Sequence, residues 1–585
     1  MLKSLCKINA KFANFVVAND KKANFTPLMD RISKDTCLML CDLLALYGVR
    51  RVVLSPGSRN APLIVAVGRS GAFVIDVIID ERQAAFAALG MALASSEPVA
   101  LVCTSGTALL NYAPAVAEAY YRRVPLVVVS ADRPAEWIDQ DDSQTIRQPG
   151  ALANIVRDSL DVSEEQYAGP DGPWWLNRRL NDVLSNATGR IKGPVHINIR
   201  LAEPLTATVQ DSVPREHGRK IDVVSVVGGS LPENIALGYS NARRVLVIIG
   251  FMNPDPLMDE FVNRLADSGC VVLKEAQSNI SSCSRNVFPC IDAALKTARP
   301  ELDNLVPDLV VTMGGSLLSR HVKTYLRRFS DRMTVWAVGY QDHAVDCFKG
   351  LDARIDMNPD EFVECLLSTG VVKGPEYAEA WHKAVRGESP EEFASRASWS
   401  DFKAVRTLID GAPEGIHLQV SNGTAIRYVQ LFRNYGKFSS VHCNRGVSGI
   451  DGCTSTAVGF ASVAEGPTLL LTGDMSAAYD IGALSLPIIT PRLRIAVLNN
   501  AGGGIFRFIP TSRDLPELEK YFVAKPRLPL ERIAEAYGFD YFEADSEKSL
   551  LGSLPGFFSD SGRPALLNII TPAELSAEIL SEFFR

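Results

Sequence analysis

The chain has 585 residues, of which 47% are hydrophobic and 22% charged, and a formal net charge of −7. This is a globular composition with material for three or four domains of roughly 150 residues. The acidic balance argues against nucleic acid as a main partner, and no apolar run approaches the roughly 18 residues of a helical membrane span. The eleven cysteines contain no CxxC pair, Cys283 and Cys290 lack a zinc-site pattern, and an odd count without a framework reads as reduced thiols in the cytoplasm.

In chain order, residues 1–28 are basic, with a broken apolar pattern and no signal-peptide hydrophobic region. They read as a flexible extension reaching about residue 32, or as sequence upstream of a start at Met29. Their lack of arginine argues against a transit peptide. From 33 to 205, β-branched runs ("RRVVLS", "FVIDVIID", "PVALVCTS", "VPLVVVSA", "GPVHINI") alternate with amphipathic stretches such as "ERQAAFAALGMALAS". That alternation predicts a parallel sheet covered by helices on both faces. Residues 206–241 read as a linker with few apolar anchors. A second alternating unit runs from "RRVLVIIGF" through "GCVVLKE", "PDLVVTMGG" and "MTVWAVG" to about 370, followed by a polar, helical connecting segment to about 398. The third unit, 396–585, has "PTLLLTG", "LRIAVLNN" and "PALLNII" as its clearest strands. The expected fold is α/β, with three consecutive doubly wound parallel-sheet domains and no visible sequence repeat.

Chemistry concentrates where strands end. "LSPGSRNAPL" puts Arg59 where a strand gives way to a helix; a guanidinium fork matches a carboxylate, and helix-start amides favour negative charge. In the third unit Asp474 follows "TLLLTG", and Asn499 and Asn500 follow "RIAVL". In an open parallel sheet ligands gather beyond the carboxyl ends of strands, so Asp474 and Asn500 are expected at one rim. A carboxylate and an amide oxygen are hard ligands suited to magnesium, and Gly502 to Gly504 let backbone come close and offer a carbonyl. Asn499 is expected to pack.

A Gly-Asp, an interval of about 25 to 30 residues, then an Asn-Asn pair resembles the diphosphate and metal motif of thiamine diphosphate enzymes. That resemblance demands a glutamate on a pyrimidine-binding domain, and "DVIIDERQAAFAALGMALA" offers Glu81 at a strand-to-helix turn. Burial is expected to raise its pKa. With "SPGSRNAPL", "CTSGTALLNYAPAVAEA", "RVPLVVVSADRP", "SQTIRQPG" and "NRGVSGIDGCTSTAVGFA" in order, the chain over about 35–585 closely resembles the 2-succinyl-5-enolpyruvyl-6-hydroxy-3-cyclohexene-1-carboxylate synthases of menaquinone biosynthesis.

The resemblance implies three domains of the thiamine diphosphate-enzyme type: pyrimidine-binding (33–205), linker and central (206–395), and diphosphate- and metal-binding (396–585). It implies decarboxylating ligation of 2-oxoglutarate to isochorismate, with thiamine diphosphate and Mg2+ (or Mn2+) as cofactors. Glu81 would be catalytic. Ser58, Arg59, Arg133 and Gln144 would face isochorismate, Arg427 and Arg445 the oxoglutarate-derived carboxylate, and Ile505 and Phe506 would wall the substrate. Asn422, Gly423, Ile450, Asp474, Asn500 and Gly502 would bind the cofactor, and Asp474, Asn500 and Gly502 the metal. The chain departs from the family pattern at Arg320, usually a lysine contacting isochorismate, at Gly423, usually serine, and at Ser143, often asparagine. The cofactor would lie between two subunits, which implies at least a homodimer and leaves a tetramer open. Another thiamine diphosphate-dependent 2-oxoacid decarboxylase or acetolactate-type synthase, or an inactive scaffold that kept the fold, remain the alternatives.

Overall fold

The computed structural model describes residues 30–210, 213–223, 230–281, 284–432 and 436–585. The expected extension up to Met29, and Cys283, lie outside the described residues. Three six-stranded sheets carry the architecture, and every strand pairing within them is parallel. The first sheet runs Val74–Val77, Arg51–Leu54, Val99–Cys103, Leu126–Asp132, Val195–Arg200, Ser159–Ser163. The middle sheet runs Val287–Phe288, Val271–Lys274, Val245–Ile249, Leu309–Met313, Thr334–Val338, Leu351–Ile355. The third runs Ser440–Cys443, His417–Val420, Thr468–Gly473, Leu493–Asn499, Ala565–Ile570, Asp540–Ala544.

Numbered within each sheet, the first and third share the order 2-1-3-4-6-5, while the middle one is 3-2-1-4-5-6. The expected doubly wound α/β class is therefore what forms. Its central strands are fully buried runs such as "VALVC" and "VLVII", as sheets covered on both faces require. Six strands go beyond the sequence expectation. Five of them, Ser159–Ser163, Val287–Phe288, Leu351–Ile355, Ser440–Cys443 and Asp540–Ala544, are sheet edges, where polar residues are favoured and the apolar signal weakens. The sixth, His417–Val420, is interior, and its His417 Nδ1 lies 2.8 Å from Ser440 Oγ on the edge strand.

Two connecting segments also differ from expectation. Arg31–Ile32 pair antiparallel with Thr208–Val209, and Ile32 is buried, so these two residues belong to the fold rather than to an extension. In the described part of 206–241, Arg215 makes a two-pronged contact to Asp42 at 2.8 and 3.0 Å, and Asn177 and Asn181 accept from the Arg219 and Ile221 backbones at 2.7 and 2.6 Å, while Ile235 and Tyr239 of the helix Glu233–Asn241 are buried in the core of the middle unit. The polar segment after 370 buries Tyr377 and Trp381 in the core of the middle unit and Phe393 in that of the third.

The first and third units share one core, in which Phe86, Leu89 and Tyr112 pack with Ala457, Phe460 and Leu493. Its seam is the contact between the helices Glu81–Ser95 and Cys453–Val463. A Cβ on Gly90 would lie 2.0 Å from the Thr456 carbonyl oxygen, and one on Gly459 would lie 2.0 Å from the Ala87 carbonyl oxygen. Only glycine permits this approach, which fixes how the two rims are presented.

Candidate active site

The strand order of the third sheet reverses between His417–Val420 and Thr468–Gly473, the position where open α/β sheets bind ligands. Ser421 to Gly423 leave one of these strands and Asp474 the other, while Asn500 leaves the strand beside Asp474. Asp474 is buried. Its Oδ1 accepts from the Met475 backbone at 2.7 Å and its Oδ2 from Gly502 N at 2.8 Å. Burial, against these two hydrogen bonds, pushes its pKa up to about 6. Arg507 is close enough to favour its charge but is committed to Glu519 through Nε and Nη2 at 2.8 and 3.0 Å.

Asn500 donates Nδ2 to Asp401 Oδ2 at 2.8 Å, and its buried Oδ1 has no hydrogen-bond partner among the described residues. Asp401 is itself fixed by Thr571 Oγ1 at 2.5 Å. Gly502 has φ +126°, and a Cβ there would lie 2.4 Å from the Val523 carbonyl oxygen. A buried carboxylate, an orphaned amide oxygen and a glycine-built backbone approach fit a hard divalent cation that carries phosphate oxygens. Asn499 Nδ2 instead donates sideways to Asn568 Oδ1 at 3.1 Å.

In the first unit Glu81 opens the helix capped by Asp80, whose carboxylate accepts from Gln83 N at 3.1 Å. Within one chain Glu81 is half-buried rather than buried. It lines a pocket of about 250 Å3 with Thr104 to Ala108, Asp142 and Gln144, all residues of the first unit. Gln144 stands at φ +55°, with its backbone against Gly106.

The arginines fall into two groups. Arg59 is buried, donates to the Leu201 carbonyl at 3.0 Å and pairs with exposed Glu203 at 3.3 Å. Burial, then the charge of Arg133, hold its guanidinium below the usual pKa. Arg133 pairs with Asp142 at 2.6 Å and donates to the Ser143 carbonyl at 3.1 Å, so the backbone of Ser143 is what this position uses. Ser58 is exposed at the same turn. The second group is Arg427, Arg445 and Arg320. Arg427 is kept below its usual pKa chiefly by burial; Asp292 opposes the shift, and Arg445 and Arg320 add to it. Among the described residues, the Nε atoms of both Arg427 and Arg445 are buried without a partner. Asn422 links this group to the third-sheet rim, accepting from Arg445 Nη1 at 3.0 Å and donating to the Asn444 and Gly449 carbonyls at 2.5 and 2.7 Å. Gly423 has φ +101°, which disfavours the serine usual in the resembling family. Ile450 is half-buried, and its carbonyl accepts from Ser476 Oγ at 2.6 Å. Ile505 and Phe506 are half-buried in the Gly504–Phe508 helix, with the Phe506 ring 5.5 Å from that of Phe522.

Residues 37–151 match the family model described as thiamine pyrophosphate enzyme, N-terminal TPP binding domain. A 2-succinyl-5-enolpyruvyl-6-hydroxy-3-cyclohexene-1-carboxylate synthase of Porphyromonas gingivalis is 41% identical, over 95% of this chain and 97% of its own length. The chain belongs to this synthase family. Relatives of the same name from Christiangramia forsetii and Flavobacterium johnsoniae are 37% and 35% identical, over 92% and 93% of this chain and 96% and 98% of theirs.

Within this synthase fold, three residues that sequence reasoning did not single out support the site. Asn60 accepts from Gly57 N at 2.9 Å and donates to the Ser55 carbonyl at 2.9 Å, closing the turn that carries Arg59. Asp401 orients Asn500 from a helix start 99 positions away in sequence. Glu275, buried in the middle unit, accepts from Leu318 N and Ser319 N at 2.9 and 2.8 Å and so anchors the start of the Arg320 helix. Only Asn60 lies close enough to a motif to have been noticed.

Proposed function

We propose that this chain removes CO2 from 2-oxoglutarate and joins the remaining four-carbon unit to isochorismate by 1,4-addition, giving 2-succinyl-5-enolpyruvyl-6-hydroxy-3-cyclohexene-1-carboxylate for menaquinone synthesis. When bound, thiamine diphosphate supplies the electron sink for the decarboxylation. Asp474, the Asn500 amide oxygen and the Gly502 carbonyl would hold Mg2+ or Mn2+, which would neutralise diphosphate charge, and Asn422, Gly423 and Ile450 would shape the cofactor cradle. Glu81 would hold the proton that the aminopyrimidine chemistry requires.

The observation that carries the substrate reading is the presence of two separate arginine groups, one with two unpartnered buried Nε atoms. Substrates bearing several carboxylates need permanent cations that do not readily surrender protons. Arg59, Arg133, Ser58 and Gln144 bind isochorismate, and Arg320, which stands with Arg427 and Arg445, reaches it from that second group. Arg427 and Arg445 hold the carboxylate derived from 2-oxoglutarate, and Ile505 and Phe506 exclude water. The Glu81 pocket is lined by first-unit residues, which supports a reading in which the complete site takes its diphosphate half from a second subunit, at least as a homodimer; the proposed compartment is the cytoplasm. No helix among the described residues is long and apolar enough to cross a membrane.

The test is mass detection of the ligation product after incubation with both substrates, thiamine diphosphate and Mg2+. The expected result is one new species, dependent on isochorismate and on the metal. Release of a free aldehyde at the same rate without isochorismate would make the chain a simple decarboxylase, and lack of metal-dependent cofactor binding would make it a scaffold.

A further inference from the structure

The turn that carries Arg445 belongs to the third unit but is gripped by the first. Glu118, on the helix Ala113–Arg122, is only 1% exposed. Its Oε1 accepts from Gly446 N and its Oε2 from Val447 N, both at 2.7 Å. One turn further along the same helix, buried Arg122 donates Nη1 to the Cys443 carbonyl at 2.6 Å. The Asn444–Arg445 pair is thus bracketed on both sides by a single helix. The fit leaves no slack: a Cβ on Gly446 would lie 2.6 Å from the Glu118 carbonyl oxygen and 3.0 Å from its carboxylate. Gly446 has an ordinary φ, so it is this contact, and not backbone conformation, that calls for glycine there.

Arg445 has little else to hold it. Among the described residues its side chain makes one hydrogen bond, to Asn422 Oδ1, and its buried Nε finds no partner. Fixing the backbone on both sides of a long cationic side chain removes conformational freedom that ligand binding would otherwise have to take up. A carboxylate that accepts two backbone N–H groups makes charge-assisted hydrogen bonds and cannot be shortened or neutralised without freeing one of them.

We infer that Glu118 is a positioning residue for the 2-oxoglutarate carboxylate: it acts through the Gly446–Val447 amides to hold Arg445 in its binding pose. This rests on the reading of Arg445 given above. It also makes the packing of the first unit on the third a condition of substrate recognition, in addition to cofactor binding.

The experiment uses full-length holoenzyme. In Glu118→Gln the amide NH2 faces one of the two donor N–H groups. The expected result is a KM for 2-oxoglutarate raised about tenfold, an unchanged KM for isochorismate, and faster hydrogen–deuterium exchange in the peptide spanning 440–452. In an Arg445→Ala background the same substitution is expected to add nothing further, since coupled residues are not additive. Gly446→Ala, which displaces the carboxylate from the other side, should repeat the selective KM change and covers the case in which Glu118→Gln does not fold. Additive effects in the double variant, equal rises in both KM values, or unchanged exchange of the 440–452 peptide would overturn the inference. If Arg445→Ala alone leaves the 2-oxoglutarate KM unchanged, the assignment of Arg445 fails, and the exchange measurement still decides whether Glu118 holds the turn.

Discussion

The carboxylate of Asp401 determines which way round the amide of Asn500 stands. Asn500 donates Nδ2 to Asp401 Oδ2 at 2.8 Å while the other Asp401 oxygen accepts from Thr571 Oγ1, so Asn500 Oδ1 is turned to the other side, where it has no partner among the described residues. A group buried without a partner is costly unless a ligand satisfies it. Asp401→Asn lets the Asn500 amide face either way. Metal-dependent thiamine diphosphate affinity is expected to fall about 10- to 100-fold, as for other supports of metal ligands, with little change in metal-independent binding. Titration followed by intrinsic fluorescence, with and without Mg2+, checks it.

Glu81→Gln keeps the shape of the helix start, where Asp80 provides the cap, and removes the transferable proton. Cofactor affinity should remain within a few-fold of the original, while turnover and exchange of the thiazolium C2 proton fall by about 10²- to 10⁴-fold. Proton exchange observed by NMR at the original rate would remove Glu81 from the mechanism.

Asp480 supplies a pH dependence of stability. It is buried, accepts from Ser455 N at 2.7 Å and Ser455 Oγ at 2.9 Å, and burial raises its pKa from 3.8 to about 6. The folded chain therefore favours the protonated form. The stabilisation is full below about pH 3.8 and is lost as the pH rises through about 6. Asp480→Asn retains the geometry, because the Ser455 hydroxyl can turn to accept. Between pH 4 and 6.5, urea midpoints of the original should fall relative to those of the variant; parallel curves would refute the assignment.

Gly90→Ala and Gly459→Ala drive a methyl group into backbone across the seam of the two units. Each is expected to destabilise by about 1–3 kcal/mol or more. Gly68, in the helix Ala61–Ser70, has nothing within 4 Å of its added Cβ, so Gly68→Ala should stabilise by about 0.5–1 kcal/mol. Calorimetry on the three variants separates crowding from helix propensity.

Sheet class and the rim that carries Asp474 and Asn500 were legible because their signals are local. Long β-branched runs mark central strands, and Asp474 and Asn500 follow directly on two of them. Edge strands such as Asp540–Ala544 mix exposed and buried positions and blur the pattern. Trp381 disappears into a segment that reads as polar although it is fully buried. Asp401 and Glu118 carry no sequence signal at all. Each is an acid on an ordinary helix, and its role comes from partners 99 positions away for Asp401 and more than 300 away for Glu118. The shared strand order of the first and third units was equally hidden, since it is set by pairing across the sheet and not by residue identity.

The glycine seam between the two outer units is reciprocal. Gly90 touches the Thr456 stretch and Gly459 touches the Ala87 stretch, so each helix offers its counterpart the same kind of notch. Such mutual exchange is the mark of a twofold joint between identical copies. With equal strand orders on either side, the two outer units meet across this seam as a pseudo-twofold pair within one polypeptide, so a change at one notch should be mirrored in its effect by the same change at the other.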